Sequence, residues 1–468
     1  MLIRLALHAS MLVLPLTAKA DAGLAIWNFD VQLDSSAQAL LVSTCAQRAQ
    51  AHVRFRAGGE AERFLLRATR SSGAALVRRG GSLIANDWSP GECLLTQIDA
   101  AAAAQADQVG RGEPLDQYLR LAPTRWLWRP RDLHPDSRIS FELPAGWTAS
   151  VPWQPLSDDT YRLGATPDRW PAKIALGRFR EHLVDLPGGR VRISVLPPVS
   201  DTQEAEIVDW LRDVAAQLTL LGGALPQPDT QVLVQPLPGV SSPVPWGEVT
   251  RGGGSAVHLY VGLGAGVERW RADWTASHEF AHLLHPFVGD AGRWLSEGLA
   301  SYYQNVLRAR SGQLSPDVAW LKLRQGFERG RGATPEGSPA LQQAASTRMR
   351  GSTMRVYWAG AAFWLETDRA LRRGGDSLDA LLTRFAAQHG GTACCWTPQR
   401  FIEVLNQLAP KAGLTARYRS YAASTRFPIS RAQQARWTTE LQHPDQVLGA
   451  VFAPLEPEPP ARAPTPGA

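Results

Sequence analysis

"SHEFAHLLHP", residues 277–286, sets two histidines four positions apart with a glutamate directly after the first. The surrounding pattern reads as a helix from about Ala272 to His285, which Pro286 ends. On a helix, His278 and His282 project from one face and can reach a common ion. Glu279 is turned by about 100° from His278, beside that ion and free to handle a water's proton. Taken alone, the ten letters fit an ordinary buried helix equally well. A third ligand has to come from elsewhere in the chain.

It comes from the segment that follows. "FVGDAGRWLSEGLASYYQNVL", residues 287–307, contains a tight turn and then a second helix, from Arg293 to about Arg310, that carries Glu297. The fourteen residues between His282 and Glu297 are enough for an antiparallel return that brings the carboxylate back to the histidines. Two histidines and one glutamate are the ligand set of a catalytic zinc site, because they leave the fourth position for water. Zinc lowers the pKa of that water to near ~7, and Glu279 is placed to take its proton during attack on a carbonyl. A structural zinc site is closed by four protein ligands, often cysteines, and no cysteine lies near.

With these residues in place, "HEFAH…WLSEGLASYY" resembles the gluzincin metallopeptidases, most nearly the glycyl-aminopeptidase family and more distantly the aminopeptidase N type. The segment from Tyr357, "YWAGAAFWLETDRALRRGGDSLDALLTRF", is similar to the family's Tyr-x-x-Gly helix. The resemblance implies that Tyr357 hydrogen-bonds the oxyanion of the tetrahedral intermediate. It covers roughly residues 190–428 and departs from the family in three respects. The interval between the second histidine and Glu297 is shorter than the about eighteen residues of aminopeptidase N types. No peptide-binding module fits after Ser424. The family's Gly-rich edge strand bears an acidic residue for the substrate's free amine, whereas the matching stretch here, Gly252 to Val257, has no carboxylate. Gly253, Gly254, Ser255 and Ala256 are still expected to pair with a substrate backbone by strand addition. Three readings stand: an aminopeptidase, a zinc endopeptidase, and a non-catalytic peptide-binding protein on a peptidase scaffold. Blander roles suit the neighbours. His285 packs at the helix end or supports a ligand, His258 is as readily structural as substrate-facing, and Trp294 and Tyr302 are core anchors.

The remaining chain implies a multidomain α+β fold. Residues 21–189 read as an antiparallel β domain of short strands, with one helical or loop interlude near residues 93–109. Residues 190–350 form the thermolysin-like zinc catalytic domain, 351–428 a C-terminal helical part, and 429–468 an extended, Pro-rich tail. Residues 1–20 carry Arg4, a short apolar run and Ala18-Lys19-Ala20, the order of a secretory signal, which predicts export to a periplasmic or extracellular space. No later segment is long and apolar enough to span a bilayer. The net charge is +6 and the arginines are scattered, so nothing resembles a nucleic-acid footprint. The implied partner is a peptide or protein substrate and the implied cofactor one zinc ion. Cys45 and Cys93 could pair, whereas the adjacent Cys394 and Cys395 read as free or buried thiols, because a bond between neighbours is strained.

Overall fold

The computed structural model describes residues 24–58, 60–107, 117–164, 170–390, 396–441 and 447–453. The expected signal at 1–20, Cys394 and Cys395, and the Pro-rich stretch from residue 454 lie outside the described residues.

Between Trp27 and Gly177 the chain builds the β domain from a seven-stranded, a four-stranded and a three-stranded sheet. Alternation of buried and solvent-facing residues along Trp27–Leu33 and Ala39–Ala46 supplies one apolar face per strand. Trp27, Phe55 and Trp88 meet beneath these strands with ring centroids 5.3–5.8 Å apart. The domain is mixed rather than purely antiparallel, because Trp27–Leu33 pairs with Arg138–Glu142 in parallel, Asn28 opposite Arg138. Those two strands are more than a hundred residues apart and joined by no hairpin, so no tight turn dictates their relative direction. The interlude resolves into strand Cys93–Asp99 and helix Ala100–Ala106, the latter capped by Asp99 accepting from Ala102 N. Cys45 and Cys93 stand opposite each other on neighbouring strands and form a disulfide.

A five-stranded sheet follows. Its strands are β1 (Glu181–Leu186), β2 (Gly189–Val195), β3 (Asp229–Leu237), β4 (Trp246–Thr250) and β5 (Ala256–Gly262). Their spatial order is β1-β2-β3-β5-β4, with β4 antiparallel on the edge. The boundary expected at residue 189 therefore moves upstream. Gly188, at φ +81°, turns β1 tightly back onto β2, so this hairpin belongs to the second sheet and not to the β domain.

Helix α1 (Asp201–Ala216) starts at a capping box between Ser200 and Gln203. The helix expected over 272–285 is divided. Val267–Ala272 stops before Asp273, whose carboxylate accepts from Thr275 N at 2.7 Å and starts α2 (Thr275–Ala281). A short 3₁₀ turn covers His282–Leu284, and His285 is extended (φ −146°, ψ 156°), as a residue before proline is forced to be. Helix α3 (Arg293–Arg310) has the bounds expected for it. Helices α4 (Pro316–Gly332) and α5 (Thr353–Arg373) pack onto α3, and one apolar core runs through the sheet and these helices without a break at residue 350. The C-terminal tail expected to be extended from 429 is helical over Arg431–Leu441 and Val447–Phe452. Ser430 Oγ accepts from Gln433 N at the first start, and Trp437, Leu448, Val451 and Phe452 are buried. Apolar residues spaced among glutamines and arginines hide this amphipathic pattern from composition.

Candidate active site

All seven residues of α2 are buried, as is His282 in the 3₁₀ turn that follows, and the His278 and His282 rings lie 4.9 Å apart on one side. That side is closed by α3, which returns antiparallel and presents Glu297. Glu297 Oε2 lies 3.3 Å from His278 Nε2 and 3.5 Å from His282 Nε2. One donor atom from each of the three residues lies within 4.8 Å of the others, the one such cluster among the described residues.

The outer nitrogens of both imidazoles are occupied. His278 Nδ1 meets Gln304 Oε1 at 2.8 Å, and His282 Nδ1 meets Ser296 Oγ at 3.2 Å. An amide oxygen only accepts, so His278 Nδ1 carries a proton, and in the neutral ring that a metal requires Nε2 presents a lone pair. That lone pair faces a carboxylate oxygen, itself an acceptor. Two acceptors at 3.3 Å repel unless a positive charge lies between them. The donor set therefore fits a divalent cation, and two imidazoles with one carboxylate and an open fourth position suit zinc.

The two histidines differ electrostatically: burial would lower His278, but the adjacent Glu297 and Glu279 carboxylates raise it overall. Burial draws His282 down to about 4, which keeps it neutral as a ligand must be. Burial alone would raise Glu297, but its close contacts with the His278 and His282 imidazoles hold its carboxyl well below the ordinary range. His285 supports His282 from behind: its Nε2 lies 3.3 Å from Ser296 Oγ, and its Nδ1 donates to Pro286 O at 2.8 Å. Arg251 is buried among these groups. Its Nη1 donates to His282 O at 3.1 Å and its Nη2 to Ser296 Oγ at 3.3 Å. Burial lowers its guanidinium to about 10, still charged at neutral pH.

Glu279 lies beside the ligands, 8 % exposed, and lines a cleft of about 310 Å³ together with Glu297, His282 and Tyr357. Burial raises its carboxyl to about 7, against the opposing pull of His278. A cation at the ligands would draw it back down. The edge strand β4 passes directly over it: a β-carbon added at Gly247 would lie 2.6 Å from Glu279 Cγ. Tyr357 reaches the cleft from α5 and stacks flat on His278, centroids 5.7 Å apart. Burial beside Glu297 pushes its phenol upward, so its O–H stays protonated and able to donate. Arg293 completes the wall, its guanidinium over the Tyr357 ring.

The structure thus brings His278, Glu279, His282, Glu297 and Tyr357 together. It does not bring Gly253, Gly254, Ser255 or Ala256 to this cleft. The glycines form a turn in which Gly254 has φ +142° and packs on the Pro152 carbonyl, and Ser255 and Ala256 are buried where β5 begins. The segment along the cleft is Trp246 to Arg251 instead. It contains a carboxylate that sequence reading missed, Glu248, whose Oε1 lies 3.3 Å from His258 Nδ1. Burial opposes its charge, but His258 and the more distant Lys173 and Arg120 keep it ionised. The signal available was a strand-like "WGEVT" separated from the glycine run by Arg251 alone.

No protein-family model and no curated protein matches the sequence. Solved structures do. An aminopeptidase N family protein from Idiomarina loihiensis superposes with a TM-score of 0.63 at 15% identity, over 88% of this chain and 78% of that one. A variant of the M1 zinc metallopeptidase from Deinococcus radiodurans, bound to a Tyr-Ser-Ala substrate, gives 0.53 at 13% identity, over 87% of this chain and 95% of that one. Yeast LTA4 hydrolase in complex with bestatin gives 0.55 at 13% identity, over 90% and 72%. The chain has the M1 zinc metallopeptidase fold. The likeness that begins at "HEFAH" and "WLSEG" extends to an M1-like succession of β domain, catalytic sheet and helices.

Proposed function

We propose that this chain is a zinc-dependent metallopeptidase of the aminopeptidase type. The observation that carries the reading is the convergence of His278, His282 and Glu297 on one point at the floor of a cleft that Glu279 and Tyr357 also line. His278, His282 and Glu297 would hold the zinc ion, which supplies a Lewis acid and a water of lowered pKa. Glu279 takes the proton of the attacking water and returns it to the leaving amine. Tyr357 donates its O–H to the oxygen on which negative charge develops. The edge strand β4 binds the peptide backbone by strand addition, with Gly247 leaving room over Glu279.

Glu248 favours the aminopeptidase over the endopeptidase reading. It is an ionised carboxylate on the edge strand at the cleft wall, suited to a substrate's terminal ammonium. A scaffold that only bound peptides would need neither Glu279 nor Tyr357. The Cys45–Cys93 bond supports an exported protein, since such bonds persist in oxidising compartments. Among the described residues no helix is long and apolar enough to cross a membrane.

Glu279→Gln is the deciding variant. It should retain one zinc per chain by elemental analysis while turnover of N-terminally free peptides falls by about 10²–10⁴-fold. Undiminished turnover would sink the mechanism. Mass spectrometry of the digests separates the modes, because stepwise loss of N-terminal residues supports the aminopeptidase and internal cuts support the endopeptidase.

A further inference from the structure

A second cavity, of about 410 Å³, shares Tyr357 as a wall with the cleft. It is bounded by Trp274, just before α2, by Gln304 and Arg308 of α3, by Lys322 and Arg329 of α4, and by Met354 of α5. Three of its lining residues are cations and none is a carboxylate. Arg308 is almost wholly buried. Its Nη2 donates to Ala272 O at 2.7 Å, and its Nε has no partner. Asp273 is the carboxylate whose charge acts on it, from outside the cavity wall. Arg329 lies over the Trp358 ring at 4.9 Å. Neighbouring arginines are paired, Arg331 and Arg431 with Glu328. Among the described residues, neither Arg308, Lys322 nor Arg329 stands in an ion pair. Trp274 and Met354 add exposed apolar surface at the same place.

An enclosure with unpaired cations, one of them desolvated, and apolar walls suits an anion carried on a short aliphatic stem. Its position says which part of a substrate reaches it. In the peptidase reading, on which this inference rests, the free amine lies at Glu248, which lines the cleft and not this cavity. A peptide running from Glu248 across the ligands and past Tyr357 continues toward Trp274 and Arg308. We infer that this cavity binds the departing side of the substrate and selects a carboxylate there, either an acidic side chain directly after the scissile bond or the terminal carboxylate of a very short peptide.

The test uses the zinc-loaded full chain and two matched pairs: Leu-Glu-Ala-Ala against Leu-Gln-Ala-Ala, and Leu-Ala against its C-terminal amide. The expected kcat/KM ratio is about tenfold in favour of the charged member of at least one pair, mainly through KM and shrinking with added salt. The first pair reports a side-chain source of the carboxylate, the second an α-carboxylate source. Lys322→Met and Arg329→Met, both at exposed positions that spare the buried Arg308, should bring the ratio toward one. Equal kcat/KM within both pairs overturns the inference. If wild type cleaves none of the four, the peptidase reading fails. The cavity is then judged by calorimetric binding of the two tetrapeptides to Glu279→Gln. Severalfold tighter binding of the acidic one sustains the anion site, and equal affinity or no binding removes it.

Discussion

His282 owes its orientation to a chain of hydrogen bonds whose direction is set at Pro286. The Pro286 carbonyl can only accept, so His285 Nδ1 carries a proton and its Nε2 is an acceptor. Ser296 Oγ–H then points to His285 Nε2, and its oxygen accepts from Arg251 Nη2 and His282 Nδ1. His282 Nε2 is left as a lone pair toward the ligand triangle, and Gln304 does the same for His278. Partners of this kind tune metal affinity by about 10–100-fold. Ser296→Ala should accordingly weaken zinc binding by about tenfold or more in competition with a chromogenic chelator, with the far-ultraviolet dichroism unchanged. Unaltered affinity would mean that His285 alone orients His282. At this scale the sequence was legible where spacing imposes geometry, as in His278, Glu279 and His282 on one helical turn. Ser296, Arg251 and Glu248 were not, since each reaches the site through tertiary folding and belongs to no periodic pattern. The glycine run misled for a related reason. Glycines mark both edge strands and turns, and Gly254 at φ +142° makes this run a turn.

Tyr357 meets Glu297 because α3 and α5 cross at two glycines. A β-carbon on Gly298 would strike the Gly360 backbone, and one on Gly360 would strike the Trp294 carbonyl. The letters "WLSEG" and "YWAG" thus record a close helix contact, with Glu297 one residue and Tyr357 about one turn away on their helices. Gly360→Ala forces the helices apart and should cost about 1–3 kcal/mol in thermal unfolding. It should also reduce turnover more than zinc content, because Tyr357 shifts while His278, His282 and Glu297 keep their places on α2, the turn after it and α3. Equal losses of metal and activity would show the crossing to be structural only. The Ser89–Glu92 turn of the β domain gives a pH-dependent case. Arg70 grips Glu92 with Nε–Oε1 2.7 Å and Nη2–Oε2 2.8 Å, and these bonds depress the Glu92 carboxyl from an ordinary 4.5 to about 2. A depressed carboxyl stabilises the fold above its unfolded value, so this contribution is full above about pH 4.5 and is lost as pH falls toward 2. Glu92→Gln should unfold at a lower temperature than wild type at pH 6, with the gap closing progressively below pH 4.5. A constant gap would assign the loss to packing. Helix ends were less legible than helix centres. The break at Asp273 depends on one side chain taking the Thr275 amide, which the apolar period does not record.

The cleft draws its walls from three parts of the molecule: Trp170 and Pro171 from the β domain, Glu248 and Glu279 from the sheet and α2, Tyr357 from α5. Its shape therefore depends on how firmly the β domain is fixed, and Arg192 is the principal bolt. It sits on β2, 2 % exposed, with Nη2 donating to Val151 O at 2.8 Å and Trp153 O at 3.1 Å across the interface. On its own sheet it pairs with Asp229 at 2.9 Å and Glu181 at 3.0 Å. Burial already raises the Glu181 carboxyl, which shows how little water reaches this junction. Tyr118 with Gln235, and Gln231 with Ser150, add polar contacts along the same seam. Interfaces with this much buried polar content specify one orientation but lose heavily when one partner is removed. Arg192→Met keeps the aliphatic stem, removes every donor and strands two carboxylates, at a cost of about 3–5 kcal/mol. Calorimetry should then resolve the β domain as a separate, earlier transition. Peptide turnover should fall through KM, since Trp170 and Pro171 lose their fixed place while Glu279 and the ligands keep theirs. A single transition shifted as a whole would mean that the aromatic and apolar contacts of the seam, not Arg192, join the two parts.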